Sequence, residues 1–303
     1  MNSKFKGNIA RRNILKGLGV ASISAASAGI APTNSIAQDT SPTEGASIVS
    51  TERPLEGKVA IVTGARANIG RGIAIGLAEM GADILVHYHR PETVSQAEET
   101  ARLAREVGAK TALAVGNLGK RTNVTQMFDI AEEEFGGADI LINNAGKIVK
   151  KPIAELTDED YLEVWNINEW GTFLCMREAA NRLNNRGRII NVVTALVPSL
   201  TANYGGYAAP KAANAQLVRT LSAEIGGSDR AITVNSVHPG PVDTPFFRDP
   251  ESDEAIEYAT TLANLQRLGK VSDIVPAVQF IASPAAQWMT GESIFVTGGY
   301  TES

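Results

Sequence analysis

Lys58-Val59-Ala60-Ile61-Val62-Thr63-Gly64-Ala65-Arg66-Ala67-Asn68-Ile69-Gly70 is the stretch that decides the fold. Val59 to Val62 form a short apolar run bounded by Gly57 and Gly64, which predicts a buried strand. Between Arg71 and Met80 the apolar residues Ile73, Leu77 and Met80 return at helical spacing, and Gly81 is a stop signal. The turn between strand and helix has to carry backbone N–H groups to a helix N-terminus, where an anion such as a pyrophosphate is favoured. Glycine lets a backbone turn tightly and approach a ligand closely. Gly64 and Gly70 supply it, and Asn68 between them is the residue that next best tolerates positive φ.

Outward from this unit the alternation repeats. Residues 82–87 read as a second strand and 93–107 as an amphipathic helix ending at Gly108. Further strands are expected at 111–115, 139–142, 188–193, 231–237 and 293–296. Helices are expected at 122–135, 158–180, 204–225 and 272–282, the second of these N-capped near Thr157. Continuous apolar strands with intervening helices imply a parallel sheet covered on both faces. The prediction is an α/β fold, a single domain over residues 56–303 with a doubly wound, seven-stranded Rossmann-type sheet.

The chain of 303 residues is 44% hydrophobic and 20% charged, an ordinary globular composition. Its charge is uneven. Residues 1–37 hold Lys4, Lys6, Arg11, Arg12 and Lys16 and no acid. Taking these five from 28 Lys and Arg leaves 23 against 33 Asp and Glu, a formal charge of −10 for the rest. An acidic body gives no nucleic-acid footprint, which needs a basic face. Cys175 is the only cysteine, so no intrachain disulfide forms, and its run Phe173-Leu174-Cys175-Met176 marks it as a small buried apolar residue.

The first 37 residues look like an address. Arg11-Arg12-Asn13-Ile14-Leu15-Lys16 opens a weakly apolar Gly, Ala and Ser stretch to Ala31, and Ser35-Ile36-Ala37 has the small-residue spacing of a cleavage site. This resembles a twin-arginine signal peptide and predicts a periplasmic or otherwise exported protein, folded first in the cytoplasm. Residues 38–55 read as a linker. The body has no stretch of about 18 apolar, uncharged residues, so no stable membrane insertion of the mature form is expected.

The chemistry-bearing residues fall at strand ends. After the second strand comes His87-Tyr88-His89-Arg90, with no acid before Glu92 to accept ribose hydroxyls. Arg90, helped by Arg66, can instead pair a 2′-phosphate through a planar fork, which favours NADP(H) over NAD(H). No carboxylate or Cys completes a ligand set with His87 and His89, so no metal is expected. Asn143-Asn144-Ala145-Gly146 ends the fourth strand with amides and small residues that let a nucleotide lie across it. Tyr207-Ala208-Ala209-Pro210-Lys211 sets a phenol and an ammonium at i and i+4, on one helix face. A neighbouring cation favours the phenolate and is expected to lower Tyr207 towards neutrality. Thr194 stands at the end of the fifth strand, and Asn168 lies in the long helix with Gly171 three residues on.

With these motifs in this order, residues 56–303 resemble a short-chain dehydrogenase/reductase. The family's TGxxxGxG is matched over Thr63–Gly70 with Asn68 as the departure, and its NNAG is Asn143–Gly146. Its Asn-x-x-Gly is Asn168–Gly171, its YxxxK is Tyr207–Lys211, and its PGxxxT runs from Pro239 to Thr244. The resemblance implies hydride transfer between NADP(H) and a small-molecule carbonyl or alcohol, of the 3-oxoacyl-reductase or sugar/alcohol dehydrogenase kind. It implies Tyr207 as general acid/base, with Lys211 tuning it and holding the nicotinamide ribose. Asn168 would anchor a water in a proton relay. Thr194, where the family usually has Ser, would hold the substrate oxygen while its methyl narrows the pocket. Thr244 would bind the carboxamide.

The cofactor would lie along Gly64, Arg66, Asn68, Ile69, Gly70, His87, Tyr88, His89, Arg90, Leu118, Asn144, Ala145, Gly146, Pro239, Gly240 and Val242. Asn117 would stand near the adenine, where the family often has Asp. Pteridine reductases share the His-Tyr-His-Arg run and the replaced glycine, but tend to have Asp at the position of Thr194. A pteridine-reductase-like enzyme and a non-catalytic NADP(H)-binding module are the alternatives. The family commonly forms homotetramers through the helices at 158–180 and 204–225. Substrate choice is expected around residues 195–202 and 245–269, where Phe246, Phe247, Tyr258 and Leu262 suggest a partly apolar lid.

Overall fold

The computed structural model describes residues 53–300 except Ser228. The export signal at 1–37 and the linker as far as residue 52 lie outside the described residues. The end of that linker is a correction: Leu55 is only 2% exposed and its N–H donates to Met80 O at 2.8 Å, so it belongs to the core.

Seven strands form one sheet: β1 (Val59–Val62), β2 (Asp83–Tyr88), β3 (Thr111–Val115), β4 (Ile140–Asn143), β5 (Arg188–Val192), β6 (Thr233–Pro239) and β7 (Ser293–Val296). Every pairing is parallel and the spatial order is β3-β2-β1-β4-β5-β6-β7. The chain builds outward from β1 to β3, then returns to place β4 on the other side of β1. That reversal opens a crevice at the carboxyl ends of β1 and β4, the usual ligand position in an open α/β sheet.

Helices cover both faces. On one lie α1 (Asn68–Glu79), α2 (Val94–Glu106) and α9 (Val271–Ala282), and on the other α3 (Arg121–Phe135), α5 (Gly171–Arg182) and α6 (Gly205–Ile225). Side chains of a strand alternate between faces. Accordingly Ala60 and Val62 of β1 pack with Ile73, Leu77, Ala101 and Val278. Val59 and Ile61 pack with Val124, Phe128, Leu174 and Cys175 on the other face. Two-sided burial is why these strands read as unbroken apolar runs. Burial also pushes the Cys175 thiol up, which leaves it an inert packing residue.

The long helix expected at 158–180 is interrupted. It begins as α4 (Asp158–Trp165), opened by Thr157 in a capping box with Asp160, passes through a π turn at Asn166–Trp170 and continues as α5. A π turn widens the helix by one residue per turn, often at a functional site. Two short helices, α7 (Pro245–Arg248) and α8 (Asp253–Leu262), lie between β6 and α9. They pack on a small cluster of their own, with Ala195, Ala259, Ala263 and Tyr300 buried and Phe247, Leu262 and Leu268 against them. Among the described residues no helix is long and apolar enough to cross a membrane.

Candidate active site

A cavity of about 650 Å³ opens along the carboxyl ends of the strands. Its nucleotide end is built from the β1–α1 turn. Gly64 takes φ +63° and Asn68 φ +53°, so the asparagine occupies a left-handed position that glycine would otherwise fill. A Cβ on Gly70 would stand 2.4 Å from Asn144 Nδ2 and 2.5 Å from Gly64 O, so only glycine fits there. The turn is bolted to β4. Thr63 Oγ1 accepts from the Asn144 and Ala145 N–H groups at 2.9 and 3.0 Å, and Asn144 Nδ2 donates to Thr63 O at 3.0 Å. No side chain caps the start of α1 and its first turn carries no acid, so those N–H groups face the cavity without an internal anion.

His87 holds the same turn from below. Its Nδ1 accepts from Gly64 N–H at 3.2 Å while Nε2–H donates to Gly116 O at 2.9 Å. Both ring nitrogens are spent, so His87 shapes the cavity wall rather than offering a polar contact. Burial pushes its pKa down to about 4, with the nearby His89 adding to the effect against the Gly116 bond. His89, Arg90 and Arg66 also line this end, without a carboxylate at the tip of β2. Arg66 is steadied by Gln96, and burial, with the Arg90 charge, lowers the pKa of His89.

The other end of the cavity carries Tyr207 and Lys211 on α6, Thr194 beyond β5, and Gly240, Val242 and Thr244 beyond β6. Tyr207 is buried and hydrogen-bonded to the Thr194 hydroxyl. Lys211 Nζ donates to Val192 O at 2.7 Å. The expected lowering of the phenol is not what the chain produces. Burial raises Tyr207 above the ordinary tyrosine value, with the Thr194 bond opposing it, and pushes Lys211 down to about 8. Desolvation of the phenolate dominates, and the Lys211 ammonium is committed to the Val192 carbonyl.

Thr194 is itself positioned. Its Oγ1 accepts from Leu196 N–H at 3.2 Å, and its carbonyl accepts from His238 Nδ1–H at 3.1 Å. His238, lowered by burial, is buttressed by Ser236 at 2.9 Å and by the Phe295 ring.

Most of the residues singled out in the sequence meet on the cavity wall: Gly64, Arg66, Asn68, Ile69, Gly70, His87, His89, Arg90, Leu118, Asn144, Ala145, Gly146, Thr194, Tyr207, Lys211, Pro239, Gly240, Val242 and Thr244. Three do not. Tyr88 alternates to the opposite side of β2 from His87 and is buried in the core beside α1 and α2. Asn117 is half-buried and bonds its own loop, its Oδ1 accepting from Gly119 N–H at 2.8 Å in the turn that leads to α3. Asn168 is fully buried. Its amide is doubly bonded to the main chain of Lys147, 2.8 Å each way. Its main-chain carbonyl accepts from Thr172 Oγ1 at 2.8 Å and Asn214 Nδ2 at 2.5 Å. Asn168 therefore braces the end of the Asn143–Gly146 stretch.

Lys150, Tyr204 and Glu251 also line the cavity, and no sequence motif marked them. Tyr204 was detectable in principle as the residue one turn before Tyr207. Glu251 sits among exposed acids with no local pattern to mark it.

Comparison with known proteins agrees with this geometry. The family model described as "Enoyl-(Acyl carrier protein) reductase" matches residues 64–301. A short-chain type dehydrogenase/reductase of Picea abies is 39% identical over 81% of the chain and 93% of its own length. A chloroplastic NADPH-dependent aldehyde reductase-like protein of Arabidopsis thaliana is 38% identical over 82% of the chain and 95% of its length. The crystal structure of a dehydrogenase from Burkholderia cenocepacia with bound NADP superimposes with a TM-score of 0.79 at 35% identity, covering 84% of this chain and 97% of that one.

Proposed function

The chain belongs to the short-chain dehydrogenase/reductase family, and from that premise we propose that it is an oxidoreductase using NADP(H) on a carbonyl or alcohol substrate. One observation carries the reading: a phenol bonded to Thr194 shares a single cavity with a glycine-rich turn and two arginines. The residues suit NADP(H). The turn leaves no room for a Cβ at Gly70, and Arg66, His89 and Arg90 offer donors at the end of β2 where NAD recognition would want an acid.

The nicotinamide, when bound, supplies or accepts the hydride. Tyr207 gives its proton to the carbonyl oxygen as charge develops there, and takes one back in the reverse direction. Its raised pKa keeps it protonated at neutral pH, ready for reduction. The Thr194 hydroxyl holds the same oxygen, on a backbone fixed by His238. Lys211, anchored on Val192 O, keeps further N–H donors for the nicotinamide ribose. Phe246, its ring centroid 6.2 Å from that of Tyr207, shields the phenol from water.

The test is oxidation of NADPH by the purified protein across a panel of aldehydes and ketones, with a pterin and an enoyl thioester included. Turnover of carbonyls supports the reading. Turnover of the pterin or the enoyl thioester alone would replace it.

Two further proposals concern the whole protein. Residues 1–37 direct export of the folded chain by the twin-arginine route, on the strength of Arg11-Arg12 and the soft apolar stretch behind them. Retention in the cytoplasm on Arg11→Lys, Arg12→Lys is the expected result, and an unchanged distribution overturns it. The mature chain forms a homotetramer through α4, α5 and α6, a reading supported by exposed Tyr161, Leu162 and Trp170 on that face. Light scattering of the purified protein decides it.

A further inference from the structure

Beyond Tyr207 the cavity wall is mostly carbon, from Leu196, Phe246, Phe247, Ala259 and Leu262. A nearly buried carboxylate is set into it. Glu251, in the link between α7 and α8, has a side chain only 4% exposed. Lys150 Nζ pairs with one of its carboxylate oxygens, and the Tyr204 hydroxyl donates to the other. Lys150 also sits 5.4 Å from the Tyr204 ring centroid. All three residues line the same cavity as Tyr207, and Tyr204 is the N-cap residue of the helix that carries it.

An ion pair with its carboxylate buried and its ammonium partly so is a poor way to hold a lid. Its desolvation tends to cancel its attraction, and apolar side chains of similar volume hold as well or better. Phe247 and Leu262 already pack this segment by that means. The polar set also has unused capacity. A carboxylate accepts more than the two bonds made here, and an ammonium has three donors of which the pair uses one.

We propose that Glu251, Lys150 and Tyr204 are the specificity determinant of the site. They receive a hydroxyl carried by the substrate away from its reacting carbonyl, so the substrate class is the neutral hydroxylated carbonyl compound. A hydroxyl is the matching group because it donates to Glu251 and accepts from Lys150 at once. An anion meets the Glu251 carboxylate and a cation meets the Lys150 ammonium, so the balanced pair selects against both. A purely hydrocarbon substrate leaves the buried pair without a partner it can use, the situation in which polar sites discriminate most strongly. The inference rests on the carbonyl-reductase reading and narrows it.

The experiment uses matched pairs with the purified enzyme and NADPH: benzaldehyde against its hydroxybenzaldehydes, and cyclohexanone against 4-hydroxycyclohexanone. The parent enzyme is expected to favour at least one hydroxylated member by about tenfold or more in kcat/KM, mainly through KM. In the double variant Lys150→Met, Glu251→Leu, which leaves no unpaired buried charge, that ratio falls to about one. Tyr204→Phe, a milder change, lowers it part of the way and serves if the double variant does not fold. A ratio near one in the parent enzyme, or a ratio unchanged in the variants, overturns the proposal. Absence of turnover with every carbonyl is a different outcome, which overturns the reductase reading and this inference with it.

Discussion

Asn214 donates its side-chain amide to the main-chain carbonyl of Asn168 at 2.5 Å, so α6 reaches directly into the π turn between α4 and α5. Asn168 in turn grips the backbone of Lys147 from both sides. The chain thus couples the helix of Tyr207 to the nucleotide-side stretch at Gly146 through two asparagines. Asn214→Ala should cost about 0.5–1.5 kcal/mol in a urea titration, because it removes one of two side-chain donors to the Asn168 carbonyl and leaves Thr172 in place. Asn168→Ala should cost more, since it orphans two main-chain groups of Lys147. Equal stability of the Asn214 variant and the parent would show that the link contributes nothing to stability.

His87 makes stability depend on acid. Its pKa is about 4 in the folded chain against about 6.5 when unfolded, because burial disfavours the imidazolium. Between those values the unfolded chain binds the proton and the folded chain does not. The His87 contribution is therefore complete above about pH 6.5 and is lost as pH falls towards 4, by roughly 3 kcal/mol in all. Urea midpoints from pH 7.5 down to 4.5 measure the slope. His87→Gln should flatten it while lowering stability at neutral pH.

Tyr207→Phe is expected to reduce kcat by about 10²–10⁴-fold with NADPH affinity little changed. A raised phenol also gives the two directions opposite pH preferences. Carbonyl reduction, which needs the proton present, should hold through neutral pH. Alcohol oxidation, which needs it gone, should climb with pH. Lys211, pushed down to about 8, adds a decline of reduction on the alkaline side as its charge is lost. Initial rates in both directions over a common pH range test all three statements, and parallel profiles would contradict them.

Cofactor choice should rest on the guanidiniums at the end of β2. Arg90→Ala removes a charge-assisted contact worth about 1.5–3 kcal/mol. It should raise KM for NADPH by roughly ten- to a hundredfold, leaving the NADH value nearly unchanged. The ratio of kcat/KM for the two nucleotides is the readout.

Local signals carried the nucleotide half of the site. The β1–α1 turn, Asn143–Gly146 and the end of β2 are contiguous stretches whose residue types answer a local demand: a left-handed φ at Asn68, no Cβ at Gly70, donors at Arg66 and Arg90. Where a residue's direction depends on tertiary packing, the pattern misled. Tyr88 lies in a cofactor-like run, yet strand pleat sends it into the core. Asn168 has the right spacing, but a π turn that no periodicity announces delivers its carbonyl to Asn214 and Thr172. Glu251 gains its meaning only from Lys150 and Tyr204, 101 and 47 residues away. The acidity of Tyr207 likewise depended on how deeply it is buried, which the i, i+4 spacing with Lys211 does not encode.

The segment around α7 and α8 rests on an island of four buried side chains, apart from the two clusters that pack the sheet. Regions with few buried contacts open at lower free energy than the core around them. Substrate exchange can then proceed by movement of this segment while the β1–α1 turn keeps its nucleotide. Over evolutionary time the same separation lets the substrate wall be rewritten residue by residue without repacking a single strand.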